Sequence, residues 1–384
     1  QIVDDSISTF VNKKGFIDEL ITEGVLSKNL FWKEESNHEE GVYLAYERFE
    51  DHLTVQYLLE QYPKLENEFK IGGELNVYVI DENSIYMHKG LVEAFSIQIP
   101  EKYGCEFYDL IPDLKNQYPI VESFVESLLW RKIETINEES KNYVNKHVFS
   151  HQGTYDFFWE TILSVTGIPG HYFNAHSLHN HLMNLSLADR DANWTQFLKY
   201  RYSDDSSVKR LIDWAWNQMD KSHISEESIF LSGITLAWFH TSTNRELRDC
   251  STKALVCLLQ ERLDVLTNIL KLFEKVNDPY VYERLFAVAY GCALRTHQKE
   301  KLVELSEYIF KTIFNNPKGL ITHILLRDYA RGVIEYTHHL GAKLSFDLSK
   351  IRPPYQSVWP EDIPSKEELK KKYDNDKYWD LWGS

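Results

Sequence analysis

The chain has 384 residues, 42 Lys+Arg against 58 Asp+Glu, and a formal net charge of −16. A hydrophobic fraction of 43% with 26% charged residues is ordinary globular composition and excludes wholesale disorder. The acidic balance argues against direct nucleic-acid reading, which needs a basic surface, and no apolar run approaches the roughly 20 residues of a membrane-spanning helix. Cys105, Cys250, Cys257 and Cys292 form no CxxC pair, which points away from a disulfide framework or structural zinc and toward a cytoplasmic location.

Residue 1 is Gln, and Ile2, Val3, Ile7, Phe10 and Val11 open on core-type spacing, as expected of a fragment cut inside a folded element. From 14 to 60 the pattern is that of a small α/β unit. Phe16, Ile17, Leu20 and Ile21 mark one face of a short helix, and Gly24 stops it. Val25-Leu26 and Leu30-Phe31-Trp32 read as a strand, Lys33–Glu40 as a charged wing ending at Gly41, and Val42–Ala45 as a second strand. A helix through Phe49, Leu53, Tyr57 and Leu58 follows. Helix, strand, wing, strand is the winged-helix order. Glu34, Glu35, Glu39 and Glu40 against Lys33 would repel phosphate, so a packing module is expected over 1–65 and not a DNA reader.

Residues 66–150 read as a helical connector with minor strand content. Asn76–Ile80 suits a strand, whereas Leu91, Ala94, Phe95, Phe124, Leu128 and Leu129 suit helices; Pro100, Pro112 and Pro119 are expected to cut this stretch into short pieces. From 151 to 344 the pattern is helical, and a weak repeat emerges. Leu247-Arg248-Asp249, Val281-Tyr282-Glu283 and Leu326-Arg327-Asp328 recur at offsets of 34 and 45 residues, within the range of TPR, HEAT and armadillo helix pairs. The expected fold class is therefore mainly α, a winged-helix-like unit followed by an α-solenoid of helical repeats. The charged residues of the repeat, with Arg284, are expected to form a ladder between neighbouring helices. Residues 345–384, with Pro353, Pro354, Pro360 and Pro364, read as a Pro-rich, charged linker or strap.

Candidate chemistry is sparse. His171, His176, His179 and His181 form the densest histidine cluster, with Asp189 and Asp191 following. His176 and His179 have the i, i+3 spacing of metal ligands, but no HExxH or other zinc spacing accompanies them, and polar or capping histidines are expected. Cys250 and Cys257 are two helical turns apart and read as buried structural thiols. Neither GxSxG nor GxxxxGK[ST] occurs, so no catalytic site, metal or phosphate-binding loop is expected in the segment. The aromatic pairs Trp214/Trp216 and Trp238/Phe239 are expected mostly in the core, with some aromatics lining a partner-binding face.

The stretch Tyr43–Leu58 resembles the end of the winged helix that follows the nucleotide-binding core of NACHT-like STAND NTPases, with Tyr46, Phe49 and Asp51 at the family's aromatic-or-His, Phe and acid positions. Gly90–Glu101, Glu122–Arg131, Asn277–Leu285 and His323–Arg331 look like bacterial members, so the resemblance, to bacterial antiviral STAND NTPases of the Avs type, spans most of the chain. It implies a segment of an ATP-dependent sensor whose P-loop, ATP and Mg lie in an upstream part of a parent chain. Its repeats would detect a phage protein such as terminase or portal, and binding would drive homo-oligomerisation and switch on an effector. In the wider NLR class a winged-helix His touches the nucleotide phosphate; Tyr46 stands at that position here. Tyr46 and Arg48 are thus the implied nucleotide-proximal residues, and residues 1–65 the contact with the nucleotide domain. Two other classes of function are left open: a stand-alone helical-repeat scaffold for protein–protein interaction, and a metal-dependent enzyme built on the His171–His181 cluster.

Overall fold

The computed structural model describes residues 16–34, 37–316, 320–355, 362–375 and 378, with the side chains of 31–34 and 37–40 left aside. The expected core-type opening at Ile2–Val11 lies outside the described residues, as do Trp379, Leu381 and Trp382 near the C-terminus. The chain is mainly α and divides into two compact units, Gln1–Thr154 and Tyr155–Ser384. Among the described residues no helix is long and apolar enough to cross a membrane.

Among the described residues, the first element of unit 1 is helix α1 (Phe16–Thr22), followed by Gly24 in the left-handed region, φ 72°. Strands β1 (Leu26–Glu34) and β2 (Asn37–Leu44) pair antiparallel from Leu26↔Leu44 to Glu34↔Asn37. Most of the wing expected at Lys33–Glu40 is therefore in the ladder itself, because backbone pairing once begun at Leu26 extends to the turn regardless of side-chain charge. Helix α2 (Glu47–Gln61) follows and packs on α3 (Lys89–Tyr103), which packs in turn on α4 (Tyr118–Trp130). Val55 and Leu59 of α2, Val92, Phe95 and Ile99 of α3, and Ile120, Phe124 and Leu128 of α4 are buried at helical spacing and form the core.

Two expectations for this unit are corrected. Asn76–Ile80 is not a strand: Glu74–Tyr78 is a 3₁₀ helix, with Leu75 and Val79 buried four apart and the Asn76 amide donating to Phe69 O at 2.9 Å. Residues 66–150 contain no strand among those described, since a lone strand has no edge to pair with. Pro100 does not interrupt its helix either. It lies near the C-terminus of α3, and Gly104, φ 69°, provides the actual stop. Pro119 stands in the first turn of α4, where a missing N–H is harmless. A buried ion pair closes the unit: Arg131 donates to both oxygens of Glu106 at 2.7 and 2.8 Å and to Ser140 Oγ at 3.0 Å.

In unit 2, helices α5 (Gln152–Ile162) and α6 (Ala175–Asn184) precede α7 (Ser207–Trp216), α8 (Glu226–Trp238), α9 (Arg245–Leu259), α10 (Leu263–Leu272), α11 (Pro279–Ala293), α12 (Lys299–Ile309) and α13 (Ile324–His339). Helices two apart pack side by side, so that α7, α9, α11 and α13 make one row and α6, α8, α10 and α12 another. Adjacent helices join the two rows.

The three sequence triplets fall on one structural register. Asn244, Asp278 and His323 are the N-caps of α9, α11 and α13, each accepting through its side chain from backbone N–H groups of the first turn. Leu247, Val281 and Leu326 stand three residues after these caps and are buried. Two of the following acids reach forward along the row: Arg284 donates to Asp249 Oδ1 at 3.1 Å, and Glu283 Oε2 lies 3.3 Å from His323 Nε2, whereas Asp328 accepts from Arg331 of its own helix. Arg248 and Arg327 are also equivalent, each donating to a carbonyl six residues back, Ser242 O at 2.7 Å and Ile321 O at 3.2 Å. Each guanidinium covers a tyrosine further along the chain, Tyr280 at 5.3 Å and Tyr355 at 4.7 Å. The Asp249–Arg284 and Glu283–His323 contacts tie neighbouring helices together as the ladder required, while the Asp328 contact stays within α13.

Candidate interaction surfaces

The two nucleotide-proximal candidates flank the start of α2 but are not brought together. Tyr46 is the N-cap, extended at φ −112° and 70% exposed, with no side-chain capping bond. Arg48 is turned to α3 and α4. Its guanidinium lies 4.7 Å over the Trp130 ring and 3.9 Å from Glu93. Around it Lys89 pairs with Glu122 at 3.0 Å, and burial raises the carboxyl pKa values of Glu93 and Glu126, against the pull of Arg48 and Lys89. Trp130 is the partner that sequence reasoning did not single out; nothing local signals that the last residue of α4 would meet a residue 82 positions earlier.

Tyr46 instead begins an exposed row with Phe49, Leu53 and Tyr57, at 51%, 43% and 60% exposure. The spacing of three, four and four places all of them on one face of α2, opposite buried Val55 and Leu59. The helix is thus apolar on both sides.

The histidines do not converge. His171 Nδ1 accepts from Phe173 N at 3.1 Å, and His179 Nδ1 accepts from Trp238 Nε1 at 3.2 Å. His181 lies against the rings of Tyr155 and Trp159, and His176 is exposed beside Phe230. Burial lowers the pKa of His179 and of His181 to about 4, so both rings are neutral at pH 7. Asp189 accepts from Tyr378 Oη and Ser186 Oγ, both at 2.7 Å. Asp191 accepts from Thr195 Oγ1 at 3.0 Å. Among the described residues no group of three or more His, Cys, Asp or Glu is placed to hold a metal ion.

Two core expectations are corrected. Cys250 and Cys257 are only half-buried, because α9 buries the face carrying Leu247, Ser251, Ala254, Leu255 and Leu258 and leaves both thiols at its margin; the fully buried cysteine is Cys292. Trp214 and Trp216 are 36% and 37% exposed, each beneath a lysine, Lys221 at 5.7 Å and Lys253 at 5.2 Å. Trp238, Phe239 and His240 are core residues, as expected.

Unit 2 carries a cleft of about 840 Å³ along α10 and α12, lined by Asp264, Lys271, Glu304, Glu307, Tyr308 and Phe346 among others. Lys301 holds Asp264 at 3.2 Å and Glu304 at 3.0 Å, and Glu307 accepts from Ser345 N at 3.2 Å. Lys271 lies 5.8 Å over Tyr308, and Phe310 stacks on Phe346 with centroids 3.8 Å apart. An open, mixed polar and aromatic cleft between stacked helices suits a peptide segment of a partner.

Compared with known proteins, the chain matches no family model, no curated protein and no solved structure.

Proposed function

We propose that this chain is a non-catalytic, protein-binding segment in which α1, the hairpin and α2 form a winged-helix-like unit and α7–α13 a short α-solenoid. The observation that supports the solenoid is the shared register of Asn244, Asp278 and His323, with Leu247, Val281 and Leu326 buried at the same offset. Helices that repeat a side-chain N-cap and a buried apolar residue at one offset stack by translation along a row, and such stacks present extended binding faces. In this reading the 840 Å³ cleft along α10 and α12 is where a partner docks.

The setting we propose for the segment is the one its resemblance implies, the part of a bacterial antiviral STAND NTPase that follows the nucleotide-binding core. The repeats would bear all or part of the sensor for a phage protein such as terminase or portal, with ATP, Mg and the effector supplied by the rest of the parent chain. Binding would act through rigid-body movement of packed helices, which switch between discrete arrangements, and end in homo-oligomerisation. Arg48, paired with Glu93 and Trp130, is in this setting a positioning residue near the nucleotide domain, and Tyr46 the exposed contact.

Sequencing the coding DNA upstream of the Gln1 codon tests the setting. A continuous frame containing GxxxxGK[ST] after a strand supports it, and a start codon directly before Gln1 leaves the stand-alone scaffold. Charge reversal at Lys271 and Lys311, which line the cleft, tests the docking site in either case: partner capture is expected to fall, with the fold retained because both side chains are exposed.

A further inference from the structure

The outer face of α2 is built for a second helix. Tyr46, Phe49, Leu53 and Tyr57 form a continuous apolar row from position 46 to 57, about 16 Å of helix. A row of four large side chains, each between 43% and 70% exposed, is more than scattered surface hydrophobicity. It lies opposite the face that packs on α3 through Val55 and Leu59.

The charge around the row is of one sign. On the helical wheel Glu50 and Glu60 stand immediately beside it and Glu47 at its outer edge, with Gln56 and Gln61 completing the rim. The helix's one arginine, Arg48, is on the opposite side, its half-exposed guanidinium over the Trp130 ring and 3.9 Å from Glu93. His52 faces away too, its ring Nδ1 lying 3.3 Å from the Gln98 amide nitrogen of α3. On its exposed half, α2 therefore offers an apolar stripe between carboxylates and no cation of its own.

We propose that this face binds a basic amphipathic helix of a partner, with apolar residues at i, i+3 or i+4, and i+7 flanked by Lys and Arg. Such a helix buries its stripe on Phe49, Leu53 and Tyr57 while its cations meet Glu47, Glu50 and Glu60. A second copy of this chain would set carboxylate rims against each other, a repulsion that complementary partners avoid. An anionic membrane surface is disfavoured for the same reason. Anchors at helical spacing on the partner follow the helix-in-groove mode, with electrostatics setting encounter rate and orientation. The proposal rests on unit 1 alone, so its failure leaves the reading of the α7–α13 rows untouched.

The test uses the whole chain and a fluorescent probe peptide of about four helical turns, with Leu at heptad spacing and Lys at the flanking positions. Fluorescence anisotropy is expected to show saturable one-to-one binding that weakens with added salt. Leu53→Asp should weaken it by roughly tenfold or more. A companion peptide with Glu in place of Lys should not bind the wild type and should bind the E50K/E60K variant. Unchanged thermal unfolding of Leu53→Asp checks the fold, and Tyr57→Ser serves as a second variant of the same row. Equal binding by wild type and both row variants would overturn the proposal, as would no binding at all. A wild-type dimer dissolved by Leu53→Asp would also overturn it, by showing that the occupant is a second copy.

Discussion

Arg190 and Asp278, 88 residues apart in the chain, meet inside unit 2 with Nη2 3.4 Å from Oδ2. The Arg190 side chain is fully buried. It also donates to Asn277 Oδ1 at 2.7 Å and Leu182 O at 3.3 Å, and its guanidinium lies 5.3 Å from the Trp238 ring centroid. Asp278 is at the same time the N-cap of α11, accepting from Tyr280 N and Val281 N. One carboxylate thus neutralises a buried cation and starts a helix. Asp278→Ala removes both roles and is expected to cost about 3–5 kcal/mol, because an uncompensated buried charge remains. Asp278→Asn keeps an N-cap acceptor and should be milder by about 1 kcal/mol. Urea unfolding of the two variants measures the difference.

The Glu106–Arg131 pair of unit 1 differs in being bidentate. Glu106→Gln leaves Arg131, whose side chain is fully buried, without its counter-charge, and a loss of about 3–5 kcal/mol is expected. The double variant Glu106→Leu/Arg131→Met should recover much of that loss, since two apolar side chains carry no desolvation penalty. A double-mutant cycle by chemical unfolding gives the coupling; additive losses would refute it.

At Gly332 the backbone of α13 lies close against Tyr290 of α11. A Cβ there would stand 2.8 Å from Tyr290 Cε2 and 3.0 Å from Cδ2, atoms of a rigid ring. Gly332→Ala should therefore destabilise unit 2 by about 1–3 kcal/mol despite alanine's better helix propensity. Tyr290→Ser in the same background should relieve the clash, which thermal unfolding of single and double variants can follow.

Unit 2 is expected to weaken on mild acidification. Burial lowers the pKa of His179 to about 4 and of His240 to about 3, the latter also through Arg284 and Arg248. The folded state holds both rings neutral, so their contribution is complete above the unfolded value near 6.5 and is lost as pH falls toward the folded values. At pH 5 that loss is about 2 kcal/mol for each ring. Asp191, also in unit 2, has a carboxyl pKa raised by burial and opposes this trend as pH falls toward the ordinary carboxylate range. Urea midpoints read by tryptophan fluorescence should fall from pH 7 to pH 5, and His240→Asn should flatten the slope. An unchanged slope in that variant would remove His240 as a cause.

What could be read along the chain was whatever neighbours in sequence decide. The stop at Gly24, the order of α1, β1, β2 and α2, and the shared offset of Leu247, Val281 and Leu326 depend on φ preferences, alternation and first-turn capping, all of which act over a few residues. The tertiary structure decided the rest. Asn76–Ile80 has strand composition but no partner edge, so it closes into a 3₁₀ turn on Phe69. Cys250, Cys257, Trp214 and Trp216 have core composition yet stand at the margins of their helices, because only the packing of α7 and α9 selects which side is covered. The partners of Arg190, Arg48 and Arg131 lie 88, 45 and 25 positions away, at Asp278, Glu93 and Glu106. Burial raises the energetic cost of leaving such a charge unpaired, but which residue meets it is set by how the helices stack.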